Sequence, residues 1–496
     1  MNGNLVDIAI IVIYLGAMLM FGWWGKRRSR NSSDYLVAGR RLGPVLYTST
    51  MGAVVIGGAS TVGGVGLGYK YGISGMWLVV SISVGVLLLS LVFAPRIQRL
   101  RVYTVAGMLK LRYGIDGAGA SGIVMAAYTL MLTVSSTIAY STIFSVLFGF
   151  GQISSVILGG AIVVCYSSLG GMWAITLTDM VQFVVKTLGI FALMLPITWN
   201  KAGGYDGIVD RLGAQAFDLG AIGGATIITF FVVYTFGILI GQDIWQRVFT
   251  ARSPQVAQWG GTAAGIYCLL YGVAGALIGT AGAALLPGIE ASDDVYADIA
   301  KTILPVGISG LVLAAAVAAM MSTASGALIA TATVCRQDIA PLLRSQFMTQ
   351  PIQTTDIDPE ADVRGNRLYV LATGIIAIVL AAMIRDVVAA ITIAYDILVG
   401  GLLVPILGGL VWKRATGTAA LASMLVGAVA TVAAMLIIGD ILATEPVYYG
   451  LGTSLMTFII VSLTTASTSE DVLREWTSRT TGRPKAPSEP DEPATV

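Results

Sequence analysis

The chain consists largely of apolar runs of membrane length that are separated by short polar segments. A helix needs about 20 apolar residues to cross a bilayer, and runs of this kind occur at about thirteen places. They cover residues 4–24, 44–69, 72–95, 119–150, 153–171, 175–197, 221–247, 257–286, 304–335, 367–385, 388–412, 416–438 and 446–466. This pattern predicts an all-α polytopic membrane protein with about 13 transmembrane helices.

One of these runs, residues 44–69, should be a poor helix although it is apolar throughout. It contains seven glycines, and each glycine in a helix interior costs roughly 0.8–1 kcal/mol relative to alanine. An unwound segment at membrane depth frees backbone carbonyls, which are tolerated only inside protein or beside a watery cavity. We therefore expect a broken helix of the kind that forms transporter sites. The alternative is close helix packing through small residues.

A second run, residues 230–247, also has glycines near its middle, Gly237 and Gly241, followed by Gln242 and Asp243. Interrupted segments at corresponding positions of two halves point to a transporter binding site. We expect an extra helix in residues 1–25, two inverted halves at 44–197 and 221–412, and two more helices in 416–466. The polar, proline-rich residues 467–496 are expected to form a disordered cytoplasmic tail.

Composition narrows the function classes. Hydrophobic residues make up 56% of the chain and charged residues 11%, whereas soluble proteins have about 25% charged residues. The chain has no histidine, and its three cysteines are far apart. We therefore expect no enzyme activity, no cofactor and no nucleic-acid partner. A channel is disfavoured too, since no pore-forming ring is evident.

Basic residues indicate the orientation. A cluster at residues 26–30 follows the first apolar run, which argues against a cleaved signal peptide. By the positive-inside rule, the N-terminus lies outside and the C-terminus in the cytoplasm. We expect a multi-pass protein of the plasma (inner) membrane.

Four ionisable residues fall at membrane depth: Asp179, Lys186, Asp243 and Asp396. Each costs roughly 2.5–3.5 kcal/mol or more at a bilayer centre, so each needs a partner or a cavity. Asp179 and Lys186 lie on one helix face, but about 10.5 Å apart along the axis, which is long for a direct ion pair. A structural network or an interfacial position for Lys186 is the alternative to a functional role.

Hydroxyl groups mark the run that ends at residue 335. Ala319, Ser322 and Thr323 share one helix face. Such hydroxyls commonly bond back to their own helix. Beside freed carbonyls, however, they would complete an oxygen-only pocket suited to Na⁺.

Several motifs resemble the sodium/solute symporter family, which includes sodium/proline, sodium/glucose and sodium/sialic acid cotransporters. They are DYLVAGRRLGP (34–44), GLGYKYG (66–72), GGMWAITLTDMVQ (170–182), the Gln246-Arg247 pair and MSTASGALIATATVCRQDI (321–339). The resemblance spans residues 4–466. It implies a leucine-transporter-type (LeuT-like) core of 5+5 inverted helices, with one extra helix before it and two after it.

The resemblance also implies an ion site. Its sodium ligands would be the Ala53, Ile56 and Ala319 carbonyls and the Ser322 and Thr323 hydroxyls. A second candidate ion or coupling site would include Asp179, with Ser325 and Lys186 beside it. Gly326 stands where two-sodium members have another hydroxyl, which weakens the case for a second Na⁺. The Lys186 ammonium would also permit proton coupling in place of Na⁺.

The substrate contacts implied by the resemblance fall at both breaks and in the eleventh run. They are Gly57, Ser60, Gln242, Asp243, Tyr395 and Asp396. The first break lacks the polar side chains of sugar-binding members, and the two aspartates favour a cationic or amine-bearing solute. The alternatives are a Na⁺- or proton-coupled transporter of a neutral amino acid, ureide or nucleobase, and a transporter-like sensor. We expect Na⁺, a small polar organic solute and the lipid bilayer as partners; the sequence leaves the oligomeric state open.

Overall fold

This computed structural model describes residues 5–114, 118–292, 294–347, 359–384, 387–439 and 443–482. Within these ranges the regular structure is helical. The part before the second broken helix contains α1 (Leu5–Lys26), α2 (Ser32–Val37), α3 (Pro44–Val55), α4 (Gly64–Tyr71), α5 (Trp77–Leu88), α6 (Ala94–Leu100), α7 (Val105–Tyr113), α8 (Ala118–Phe148), α9 (Gln152–Thr187), α10 (Leu195–Lys201) and α11 (Gly204–Leu212).

The remaining part begins with the second broken helix. It contains α12 (Gly224–Phe230), α13 (Phe236–Ile240), α14 (Gln242–Val248), α15 (Gly261–Leu285), α16 (Val295–Ile303), α17 (Ile308–Val334), α18 (Ala340–Phe347), α19 (Pro359–Met383), α20 (Val387–Val411), α21 (Gly417–Ile438), α22 (Glu445–Thr464) and α23 (Glu470–Thr481). Short π-helical turns, such as Ala59–Gly63 and Phe231–Thr235, link several of these helices.

The predicted number of 13 transmembrane helices is not confirmed. In the described ranges, ten helices are long and apolar enough to cross a membrane, or eleven if a bent pair counts as one span. One of the ten, Gln152–Lys201, is 50 residues long, more than twice the length that a helix needs to cross the bilayer core. It is kinked at Gly171, where the backbone is not helical (φ 56°, ψ −144°). The predicted runs 153–171 and 175–197 lie on the two sides of this kink, so this one element contains two of the thirteen predicted spans.

Helix α17 forms the centre of the molecule. The apolar part of its span is completely buried, whereas only 33% of the corresponding part of α1 is buried. Helices α8, α9, α1 and α19 surround it. Any polar group on α17 therefore meets other protein groups instead of lipid.

Both predicted breaks are present. α3 ends at Val55, and the backbone leaves the helical conformation at Ile56 (φ −86°, ψ 85°). At the second break, Gly241 is extended (φ −60°, ψ 128°) between α13 and α14, and the two sides of this break meet at 49°. The glycine pattern thus predicted both interruptions correctly.

The expectation of a disordered tail from residue 467 is wrong for Glu470–Thr481, which form α23. This helix packs against α6 and α7 and buries Trp476. Arg99 donates to the Thr480 carbonyl (3.2 Å) and Arg479 to the Leu100 carbonyl (3.4 Å). One aromatic anchor and two capped helix ends stabilise a segment that its composition alone would leave unfolded. Residues 483–496 lie outside the described residues.

Candidate functional site

The break after α3 releases backbone carbonyls at the centre of the molecule. The Gly57 N–H bonds to the Val55 carbonyl (3.2 Å), so the helical partner of the Ala53 carbonyl is missing. The carbonyls of Val54 and Ile56 also turn to side chains from other helices. Buried carbonyls need a donor or a cation, and this segment therefore needs partners from outside its own helix.

Lys186, on α9, provides hydrogen-bond donors to this segment. Its side chain is fully buried, and its Nζ donates to the Ala53 carbonyl (2.8 Å) and the Ile56 carbonyl (3.1 Å). The family resemblance implied these two oxygens as sodium ligands. The structure therefore brings the lysine onto two of the five oxygens that were expected to hold Na⁺.

The other three predicted ligands lie on α17, facing the broken segment. The Thr323 hydroxyl donates to the Val54 carbonyl (2.8 Å) and lies 3.4 Å from the Ala319 carbonyl. The Ser322 hydroxyl donates to Asp179 (2.7 Å). All five oxygens belong to buried residues. We call this set, the Ala53, Ile56 and Ala319 carbonyls with the Ser322 and Thr323 hydroxyls, the cation cage.

Asp179 lies beside the cation cage and has three partners. Besides Ser322 it accepts from the Thr50 hydroxyl (2.5 Å), and it forms an ion pair with Arg247 (3.1 Å). Both charged side chains are almost completely inaccessible. Sequence reasoning missed the role of Arg247. The Gln246-Arg247 pair stands out in the sequence, but nothing there indicates which acidic residue forms an ion pair with Arg247.

Ser325 is not joined to Asp179 by a hydrogen bond in the described part of the chain. Its hydroxyl bonds back to the Ser322 carbonyl (3.1 Å). At Gly326, an added Cβ would lie 2.9 Å from the Arg247 guanidinium. The missing side chain at this position thus makes room for the arginine that neutralises Asp179.

A second cluster forms around the break between α13 and α14. The Tyr128 hydroxyl lies 3.4 Å from Asp243 and 3.2 Å from the Tyr395 hydroxyl. Tyr395 also packs edge-on against Tyr234, with ring centres 5.6 Å apart. Two predicted substrate residues, Asp243 and Tyr395, are therefore joined through Tyr128, which no motif or pattern in the sequence singles out. We call Asp243, Tyr128, Tyr395 and Tyr234 the tyrosine–aspartate cluster.

The remaining predicted substrate residues have other surroundings. The Gln242 amide accepts from the Val105 N–H (2.8 Å) and donates to the Tyr103 carbonyl (3.1 Å), so it holds the segment between α6 and α7. Asp396 is buried, and no hydrogen bond or ion pair joins it to the other described residues.

At the first break, Gly57 packs against α17, and Ser60 turns back to its own segment. A Cβ on Gly57 would lie 2.4 Å from the Thr323 hydroxyl. The Ser60 hydroxyl donates to the Val55 carbonyl (3.4 Å). Both residues thus support the shape of the break.

The packing differs between the two breaks. Ala59 is exposed, and no atom lies within 4 Å of a Cβ built on Gly63, one turn further on. Beyond the second break, Gln246 donates to the Leu36 carbonyl (2.8 Å) and to Thr333 (2.9 Å). The segment before α4 is therefore loosely surrounded, whereas the segment after the second break is hydrogen-bonded to two neighbouring elements.

Comparison with known proteins identifies the relatives of this chain. The model of the Sodium:solute symporter family matches residues 35–427. The sodium/proline symporter of Staphylococcus aureus (strain bovine RF122 / ET3-1) is 26% identical over 452 residues, which cover 87% of this chain and 86% of that protein. The same protein from strain JH9 matches to the same extent.

Solved structures show the same fold. A Na⁺-coupled sialic acid symporter in a substrate-bound outward-open state superposes with a TM-score of 0.82 at 18% identity, over 94% of this chain and 99% of that one. A nucleobase-cation-symport-1 family transporter has a TM-score of 0.58 at 16% identity, over 90% and 98%. The predicted all-α, leucine-transporter-type fold is confirmed. Because the family model covers most of the sequence, the chain belongs to the sodium:solute symporter family.

Proposed function

We propose that this protein imports a small polar organic solute across the plasma membrane by alternating access, as a cation-coupled secondary transporter. The observation that carries this proposal is the break at Ile56, whose freed carbonyls face two hydroxyls of the fully buried α17. Irregular backbone at membrane depth is costly unless it lines a cavity or a binding site. Broken helices of this kind hold ions and substrates near the middle of secondary transporters.

The unequal packing of the two breaks supports an alternating mechanism. Ala59 is exposed and a Cβ on Gly63 would meet no atom, while Gln246 ties the other side together through side-chain hydrogen bonds. Hydrogen bonds between side chains and neighbouring helices can be exchanged at modest net cost. Rocking of one half against the other would break this closure and expose the same central site to the opposite side. The basic cluster at residues 26–30 would place the N-terminus outside the cell.

We place the solute between the first break and the tyrosine–aspartate cluster. Tyrosines offer apolar faces and a hydroxyl, and Asp243 adds a charge, which suits a small solute with polar groups. The names of the relatives, which give proline and sialic acid as solutes, do not support the cationic or amine-bearing solute that the two aspartates suggested. Proline is therefore the first solute to test, with choline and uracil representing the cationic and nucleobase classes.

Uptake into proteoliposomes tests the proposal. Purified protein would be reconstituted, and accumulation of radiolabelled proline, choline and uracil measured under an imposed Na⁺ gradient and, in parallel, under an imposed proton gradient. We expect one solute to accumulate above its external concentration under one of these gradients, and the accumulation to collapse when an ionophore dissipates that gradient.

A transporter-like sensor is the contrasting function. A sensor would bind the solute, seen as a rise in the melting temperature, without accumulating it under either gradient. That combination would contradict the proposal. The Gly57→Ala variant serves as the transport-deficient control. It should remain in the membrane but lose uptake, because the added Cβ collides with Thr323.

A further inference from the structure

The cation cage of this chain contains a positive charge of its own. We infer that the amino group of Lys186 takes the place of the Na⁺ that family membership would otherwise put on the Ala53 and Ile56 carbonyls. This inference rests on the proposed function for the transport itself, and it changes one element of it, the occupant of the cage.

The contacts of Lys186 show that its amino group occupies the position of a cation. Its Nζ lies 2.8 Å from the Ala53 oxygen and 3.1 Å from the Ile56 oxygen. A Na⁺ bound to both oxygens would have to overlap this nitrogen. The lysine also meets the need that the break creates, because buried carbonyls without a donor or cation are unfavourable. The Lys186 side chain thus satisfies the freed carbonyls, as a bound cation would.

The charges around the cage carry the second step. Asp179 is the one carboxylate that contacts these residues in the described ranges, and it is already paired with Arg247 at 3.1 Å. With Lys186 in place, the buried group has one negative and two positive charges. Adding Na⁺ would put a third positive charge where no carboxylate remains to balance it, and like charges repel strongly in a medium of low dielectric constant.

The cage keeps its ion ligands if the lysine is removed. The Ser322 and Thr323 hydroxyls use their protons toward Asp179 and the Val54 carbonyl, so their oxygen lone pairs remain available to a cation. With the Ala53, Ile56 and Ala319 carbonyls, they would form an oxygen site around the vacated position. Shortening Lys186 should therefore create a Na⁺ site.

Counting bound Na⁺ tests this. The probe is ²²Na⁺ alone, measured by equilibrium binding to the purified full-length protein, with choline chloride keeping the ionic strength constant. The variants are Lys186→Ala and, as a matched control, Lys201→Ala. Lys201 also donates to a backbone carbonyl, that of Ile303, but it lies at the end of α10, away from the cage.

We expect Lys186→Ala to bind one more Na⁺ per chain than the wild type, and Lys201→Ala to bind the same number as the wild type. Equal numbers for wild type and Lys186→Ala would overturn the inference. If Lys186→Ala does not fold, the wild type is compared with Thr323→Val. Unchanged Na⁺ binding then supports the inference, and the loss of one bound Na⁺ overturns it. These counts need no transport, so their outcome is separate from failure of the uptake assay.

Discussion

The guanidinium of Arg247 lies 3.1 Å from the carboxylate of Asp179, and both side chains are buried almost completely. Asp179 belongs to α9, and Arg247 to α14, just beyond the second break. The pair therefore joins α9 to α14 next to the cation cage. Because the hydroxyls of Ser322 on α17 and Thr50 on α3 also donate to Asp179, four helices meet at one carboxylate.

Replacing Arg247 by methionine should destabilise the protein strongly. Removing one partner of a buried ion pair leaves an uncompensated charge and costs about 3–5 kcal/mol. The double variant Arg247→Met/Asp179→Asn should recover part of that loss, because the carboxamide is neutral: its oxygen can accept from one of the Thr50 and Ser322 hydroxyls, and its NH₂ group can donate to the oxygen of the other. Thermal unfolding of the wild type, both single variants and the double variant in detergent completes the cycle. A double variant no more stable than Arg247→Met would contradict this account of the pair.

Alanine substitutions at two glycines near the first break should have different effects on uptake. A Cβ on Gly57 would lie 2.4 Å from the Thr323 hydroxyl, whereas one on Gly63 meets no atom within 4 Å. Gly57→Ala should therefore push α17 away from the break and abolish uptake, while Gly63→Ala leaves uptake close to that of the wild type. Rates of uptake at equal amounts of reconstituted protein decide this. A normal rate in Gly57→Ala would show that the close approach of the two helices is dispensable.

The sequence predicts the parts of this site that depend on local backbone chemistry. Glycines in an apolar run weaken a helix wherever that run lies, so both breaks could be located without any tertiary information. The hydroxyls of Ser322 and Thr323 could be assigned to one face because helix periodicity fixes their relative direction. Their side of α17 proved to be the side that faces the break.

The contacts between different helices could not be predicted from the sequence, because they depend on how the helices are rotated against each other. Lys186 reaches the Ala53 carbonyl across 133 positions of sequence, and Tyr128 reaches Tyr395 across 267. No periodicity within one helix contains that information. The tail shows the same limit: α23 is polar, and its order comes from burying Trp476 against other helices.

Gln242 and Asp243 are neighbours with different expected roles. The Gln242 amide holds the backbone at Val105 and Tyr103, so Gln242→Ala should lower the melting temperature and the yield of folded protein, with little change in KM. Asp243→Asn keeps its size and removes its charge, so it should raise KM for the transported solute while the protein remains stable. Parallel melting curves and uptake kinetics separate the two effects. An increased KM in Gln242→Ala without loss of stability would instead place this amide at the solute.

The Tyr128 hydroxyl is the link between Asp243 and Tyr395, and its removal should weaken solute binding. A hydrogen bond contributes about 0.5–1.5 kcal/mol net, so Tyr128→Phe should raise KM for the transported solute about two- to tenfold. The control is Tyr140→Phe on the same helix. The Tyr140 hydroxyl donates only locally, to Thr137, and its loss should leave KM unchanged. Equal effects of the two substitutions would mean that the tyrosine–aspartate cluster acts only in packing, and the solute would then have to lie elsewhere in the protein.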